Sequence, residues 1–404
     1  MAVESRISAT PSSILLLYAG RGVRGFGDGF AVVILPAYLT ALGLTPFQIG
    51  IVAAAALLGS SVLTLAIGFF APKHDLRNLL LAGAVLMTAT GVAFPNVEHI
   101  VLISLVAFLG TINPSSGDTG VLVPLEHAML AQGAPDQERT RVFARYSLIG
   151  ALAMAAGALA AATPDLLAYA GMTRLVAFKS MFYFYAFLGL LGALLYRFLP
   201  HATARESAPS TPLGPSRWVV YKLAALFSLD SFAGGFVVQS LLALWLFERF
   251  DLSVSAAGLF FFWSGVFTAF SYPVAAWLSK RIGLINTMVF THIPSSIFLI
   301  LAAFSPNLTI ALTLLLIRSA LSQMDVPTRT SYVMAVVTPS ERTAAASLTA
   351  VPRSLASSLS PAFAGALLAA PFSGLPLVIC GVLKIVYDVA LLTSFRHIKP
   401  PEET

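Results

Sequence analysis

The sequence predicts an all-α membrane protein with twelve transmembrane helices in two pseudo-symmetric six-helix bundles. Three observations predict it. First, the 404 residues are 57% hydrophobic and only 10% charged, where a soluble domain is about 25% charged. Second, the apolar residues form continuous runs of a length suited to helices, which need roughly 20 residues to cross a bilayer core of about 30 Å. They lack the short alternating segments of a β-barrel. Third, the halves repeat. Gly29-Phe30 follows Asp28 and leads into an apolar run ending near Leu42; Gly235-Phe236 follows Asp230 and leads into one ending near Phe247. Pro124-Leu125-Glu126 precedes Glu138-Arg139-Thr140 at the spacing by which Pro327-Thr328-Arg329 precedes Glu341-Arg342-Thr343. Tandem copies of this kind can rock against each other around a central site.

The expected spans are 14–41, 47–70, 78–95, 100–131, 142–168, 179–199, 218–247, 255–277, 285–304, 308–336, 343–370 and 374–395. Residues 1–199 then form the N-terminal bundle and 218–404 the C-terminal one, with a Pro-, Ser-, Ala- and Arg-rich linker at 200–217. Superposing 14–199 on 218–395 should relate the halves by an axis along the membrane normal.

Taken in order, the spans differ in their charges. The first carries Arg21, Arg24 and Asp28 on one face, by spacings of helical period. Its arginines can also be read as snorkelling to the surface, and Gly27 and Gly29 permit close backbone approach or unwinding. The fourth contains Asn113-Pro114-Ser115-Ser116-Gly117-Asp118, with Glu126 two turns on. Such interruptions face protein or a water-lined cavity, and often bind substrate or ions; a structural kink is the other reading. The seventh has Asp230 between Ser228 and Ser231, then Gly234-Gly235. The tenth has Arg318, Ser322, Asp325 and Arg329, with Pro327 as a kink; the eleventh has Arg353. In the twelfth, Lys384 and Asp388 are spaced for a local i,i+4 ion pair.

With the N-terminus inside, the short cytoplasmic segments carry Arg6, Lys73, Arg77, Arg139, Arg141, Arg197, Arg205, Arg217, Lys222, Lys280, Arg281, Arg342, Arg396 and Lys399. The opposite side carries only Arg174, Lys179 and Arg249. This positive-inside bias places both termini in the cytoplasm, as expected for a multi-pass protein of the cell (inner) membrane. It also accounts for the +6 net charge without nucleic acid. No cleavable signal peptide is visible. One cysteine, Cys380, excludes an intramolecular disulfide and Cys-rich metal sites. No HExxH spacing and no Walker-type loop are present, so neither metal catalysis nor direct ATP drive is expected, and no cofactor.

With this architecture on the page, the chain resembles the major facilitator superfamily over nearly its whole length. Members carry a patterned loop between helices two and three. Here Gly68-Phe69-Phe70-Ala71-Pro72-Lys73-His74-Asp75-Leu76-Arg77 keeps the leading Gly and the basic residues, but Pro72 replaces the usual acid and Asp75 stands at the second Gly. After helix eight, Ala276-Trp277-Leu278-Ser279-Lys280-Arg281-Ile282-Gly283 keeps its second Gly and has Lys280 at the acidic position. Both departures leave the family's acid-to-helix-dipole latch without its acid. The Gly-Pro signature of antiporters is weak: Gly150 and Gly157 in helix five come without Pro, while helix eleven has Ser360-Pro361-Ala362-Phe363-Ala364-Gly365. The resemblance implies that helices one, four, seven and ten line the cavity, and the embedded charges concentrate on them.

The expected activity is secondary active transport by alternating access, coupled to protons and exporting a small amphipathic organic solute. Asp28, Asp118, Glu126, Asp230 and Asp325 are the candidates for proton coupling or for the substrate cavity, because embedded acids mark ion pathways. The alternative is an organic-anion transporter with Arg21, Arg24, Arg318, Arg329 and Arg353 as binding or gating residues, since the guanidinium fork binds oxyanions bidentately. A polytopic enzyme or sensor is the third class. Lys73, Arg77, Glu138, Arg139, Lys280, Arg281, Glu341 and Arg342 are candidate cytoplasmic gate residues. Expected partners are the solute, protons and the bilayer, with the chain acting as a monomer. Repeat alignment also pairs Arg24 with Glu126 and Asp230 with Arg329.

Overall fold

The structure is a computed structural model that describes residues 11–115, 120–133, 138–203, 213–338 and 341–397. The first half contains α1 (Pro11–Ala41), α2 (Pro46–Phe70), α3 (Leu76–Ala93), α4 (Ile100–Leu109), α5 (Leu122–Gly133), α6 (Arg139–Ala160), α7 (Thr163–Tyr169) and α8 (Arg174–Arg197). The second contains α9 (Arg217–Gly235), α10 (Gln239–Phe250), α11 (Val254–Ile282), α12 (Leu284–Ala303), α13 (Leu308–Leu321), α14 (Asp325–Val336), α15 (Arg342–Leu368) and α16 (Leu375–Phe395). Among the described residues the β-structure is limited to an isolated bridge between Asp75 and Thr203.

Local sequence sets the helix ends. Thr45 caps α2 through a reciprocal box with Gln48, and Pro46 takes the first helical position, where no amide hydrogen is needed. Ser253 and Asn307 cap α11 and α13 by accepting from Ala256 N and Ile310 N. Gly283 turns the chain between α11 and α12 at φ +86°, a conformation that favours glycine.

Among the described residues, nine segments are long and apolar enough to cross a membrane. The expected spans outside that set have identifiable reasons. Helix α1 carries three charges, the fourth span is broken, and α15 is rich in Ser and Thr. Large apolar side chains such as Phe69, Leu166, Phe198 and Phe270 stand exposed on the outer faces, as lipid contact requires.

The structure corrects three expected spans. Residues 100–131 form not one helix but α4 and α5, with non-helical chain at 110–115 and 120–121. The seventh span ends its first helix at Gly235 and restarts at Gln239. In the tenth, the interruption falls at Ser322–Met324 and not at Pro327, which occupies the first turn of α14, where its missing N–H costs nothing.

Packing divides the molecule into a fused end and a split end. One continuous apolar core draws on both halves, with Phe30, Tyr38, Ile49 and Phe182 joined to Trp245, Phe261, Leu299 and Leu377. At the other end the halves keep separate cores. One lies around Leu17, Leu80, Leu125 and Tyr196; the other lies around Val220, Met288, Tyr332 and Tyr387. At the fused end backbones touch: a Cβ on Gly258 would lie 2.4 Å from Ala158 O, and one on Gly50 2.4 Å from Pro361 O. Ser240 N donates to Pro114 O at 3.1 Å, and Ser255 N donates to Asp165 at 3.1 Å.

Within the first half, Gly29 and Gly157 let α1 and α6 meet. A Cβ on either would lie 2.0 Å from a backbone oxygen of the facing helix, Met154 O or Phe26 O. Gly157→Leu should therefore cost at least about 1–3 kcal/mol, the range for overpacking. Thermal unfolding of the purified variant checks it, and an unchanged midpoint would refute the close approach.

Candidate solute pathway and its buried charges

The breaks in the spans place polar side chains in the molecule's interior. On the N-terminal side, Arg24 of α1 forms an ion pair with Glu126 of α5, which is 0% exposed. Tyr146 of α6 donates to the same carboxylate oxygen, and Tyr196 of α8 donates to the other oxygen at 2.6 Å. Arg24 also donates to Tyr146 Oη at 3.1 Å. Three helices thus satisfy one carboxylate on a fourth, as a buried charge requires. Arg21 lies over the Tyr146 ring at 5.3 Å, in space left by Gly150. Asp28 accepts from Tyr185 Oη at 3.2 Å and makes no ion pair with a described residue. Tyr185 in turn contacts Thr111, beside the break in the fourth span.

On the C-terminal side, Asp230 of α9 accepts from Arg329 at 2.9 Å and from Lys384 of α16 at 2.6 Å. Arg329 also pairs with Asp325, one turn earlier on α14. His292 of α12 contacts Asp388 through Nδ1 at 3.0 Å and Lys384 through Nε2 at 3.3 Å. An ammonium can only donate, so Nε2 accepts, and Nδ1–H donates to Asp388. A chain of charged and polar groups thus runs from Asp388 through His292, Lys384 and Asp230 to Arg329 and Asp325.

This network corrects the expected pairing in the twelfth span. Lys384 and Asp388 do not pair locally, because Lys384 reaches Asp230 and Asp388 faces His292. Arg24 meets Glu126 and Arg329 meets Asp230, as the repeat alignment suggested. Arg318 and Arg353 make no ion pair with a described residue. Asp118 lies outside the described residues. Sequence reasoning gave no role to Tyr146, Tyr185, Tyr196 or His292. A tyrosine in an apolar span is not in itself a signal, because its ring is at home in a core and its hydroxyl partner is remote in sequence.

Among the described residues, the candidate gate side chains do not meet across the split end. Asp75 caps α3 by accepting from Arg77 N at 2.9 Å, and it binds the His201 ring and Ala202 N. These hydrogen bonds hold its carboxyl below the usual range. Arg77 contacts His201, and Arg281 stacks over Trp277 at 4.2 Å. Lys73, Glu138 and Lys280 are exposed. The Arg139 side chain lies outside the described residues. Arg342 Nε donates to Met334 O at 3.1 Å. Glu341 ties the linker to the second half, accepting from Ser216 and Thr338 at 2.6 Å each and from Gly214 N. Those donors lower its pKa to about 2. A depressed carboxyl contributes stability above its unfolded pKa and loses it as pH falls through the folded value. The tie should therefore stay intact at neutral pH and fail only near pH 2. Proteolysis of the linker across pH checks this: release near pH 5 would contradict it.

A multi-helical chain with two bundles fused at one end and charge networks inside each has the form of a membrane transporter. The family model for the Major Facilitator Superfamily matches residues 17–228 and 223–404, and the chain belongs to that family. A relative in Saccharomyces cerevisiae, "Uncharacterized membrane protein YJR124C", is 26% identical over 419 residues, covering 95% of this chain and 94% of its own. Among solved structures, a point mutant of the nucleoside transporter NupG matches with a TM-score of 0.76 at 15% identity, covering 95% of this chain and 99% of that one. An inward-facing, unoccupied bacterial homolog of the human lysosomal transporter Spinster gives 0.73 at 14% identity, covering 97% and 100%. The D-xylose-proton symporter gives 0.73 at 17%, covering 96% and 98%. At these identities the likeness is one of fold.

Proposed function

We propose that this protein is a proton-coupled secondary transporter that works by alternating access and exports a small amphipathic organic solute. The observation that carries the reading is the contrast between the shared core at one end and the separate cores at the other. Two bundles so arranged can close the split end by rocking apart at the fused one. The positive-inside bias supports a cytoplasmic split end, with both termini on that side, and an inward-facing conformation. Spans rich in Ala, Leu, Phe and Gly suit an amphipathic solute.

For proton coupling the reading favours Asp28. Glu126, Asp230 and Asp325 already have cationic partners, whereas Asp28 has a phenol, a partner that can bond either its charged or its neutral form. Asp28→Asn should leave a folded protein whose solute-driven proton flux in liposomes is lost, while solute exchange continues. Undiminished, pH-dependent flux in this variant would refute the role of Asp28.

A further inference from the structure

We infer that Arg318 anchors a subsite for a singly charged oxyanion, a carboxylate carried on an apolar body. The inference rests on the transporter reading and adds the chemical class of its solute.

Arg318 stands ten residues, about 15 Å, inside the start of α13. A guanidinium keeps its charge in a protein, and at membrane depth such a charge is expensive without a partner. The other cations of this half are differently placed. Arg329 and Lys384 hold Asp230, and Arg329 also holds Asp325. Arg353 sits beside that same group, where Arg329 opposes it and Asp230 and Asp325 offset it. Among the described residues, Arg318 pairs with no acid, and the ionisable group it interacts with is the Cys380 thiol of α16.

The rotation of α13 is fixed by its other face. There Ser319 meets Ser264 of α11 at 2.7 Å, and Thr268 donates to Ser319 O at 3.3 Å. Arg318 lies about 100° of helix rotation from Ser319, and its guanidinium interacts with Cys380 of α16. Ser295 of α12 donates to the Arg318 carbonyl at 3.5 Å. The neighbouring Ser296 hydroxyl is buried without a partner, and its backbone packs on Gly381, next to Cys380. One guanidinium fork with spare hydroxyl capacity suits one carboxylate. A phosphate monoester, with its second charge, would call for a further free cation. Cys380 also lies within the field of Lys384 and Asp230. An anion at Arg318 would therefore adjoin the charge chain that joins α9, α14 and α16.

The test uses the purified full-length protein and a matched pair of probes, 4-phenylbutyrate and its neutral amide, with phenyl phosphate as a third. Unfolding is followed by intrinsic tryptophan fluorescence at constant ionic strength. The carboxylate should raise the midpoint, by linkage to the folded state, and the amide should not. Arg318→Gln should weaken the apparent affinity about tenfold or more, and Arg249→Gln, at an exposed position near the end of α10, should leave it unchanged. Should Arg318→Gln fail to fold, Arg318→Lys keeps the charge without the fork and should retain a weaker preference for acid over amide.

Equal shifts with acid and amide would overturn the inference. So would a carboxylate effect that survives Arg318→Gln, tighter binding of phenyl phosphate, or no shift across a carboxylate chain-length series. Uptake of the amide into proteoliposomes without any carboxylate effect would remove the subsite and leave the transporter. Carboxylate binding with no flux of any probe would leave the subsite and end the transport reading.

Discussion

Removing the Asp230 carboxylate is expected to produce the largest loss of any single substitution in this protein. Asp230→Leu would leave Arg329 and Lys384 facing each other inside the second half, with His292 3.8 Å from the lost oxygen. Asp325 can still serve Arg329, but Lys384 has no other carboxylate within pairing distance among the described residues. Stripping one partner from a buried pair costs about 3–5 kcal/mol, because the remaining charge is uncompensated. That is a large fraction of the about 5–15 kcal/mol by which a domain is stable. We expect Asp230→Leu to yield little folded protein, and Asp230→Leu with Lys384→Met to recover most of the yield. Fluorescence-detected size exclusion of tagged protein measures both. No recovery in the double variant would mean that Lys384 is not the stranded charge.

The second large effect is expected at Glu126. Its carboxylate collects Arg24, Tyr146 and Tyr196 from three other helices. Glu126→Leu strands the guanidinium and two hydroxyls together, again at about 3–5 kcal/mol for the broken pair alone. Glu126→Gln keeps the shape and can still accept from the tyrosines, so its loss should be smaller. Arg24→Glu with Glu126→Arg should restore more transport than either single change if the pair exchanges partners as the split end closes. A static pair would show recovered folding without recovered transport. The two tyrosine contacts favour a pair that stays together, since exchange would have to break three bonds to the carboxylate at once.

Much of this was legible in the sequence, for physical reasons that differ from residue to residue. The spans could be read because lipid demands long apolar runs. The Arg24–Glu126 and Arg329–Asp230 pairs could be read because the halves repeat, so equivalent positions on packed helices carry opposite charges. Gly29 was legible as a close approach, and α6 supplies the backbone oxygen it makes room for. Lys384 was misread, because i,i+4 spacing defines a possible contact and not the stronger rival: Asp230 lies 154 residues away in sequence and 2.6 Å away in space. The break in the tenth span was misplaced by one turn, since Pro327 was taken as the site of disruption although proline is welcome in a helix's first turn. The tyrosine cage around Glu126 left no trace, because it depends on which way four helices face.

The measurement that bears most directly on two halves rocking about a shared core is a pair of distances taken at opposite ends of one molecule. Spin labels at Asn78→Cys and Arg281→Cys report the split end, and labels at Tyr169→Cys and Arg249→Cys the fused end, in a Cys380→Ser background. Distance distributions by double electron–electron resonance, recorded at acid and alkaline pH and with bound solute, should move in opposite directions, with the split end shortening as the fused end lengthens. Two rigid ends under every condition, or ends that open and close together, would contradict the account.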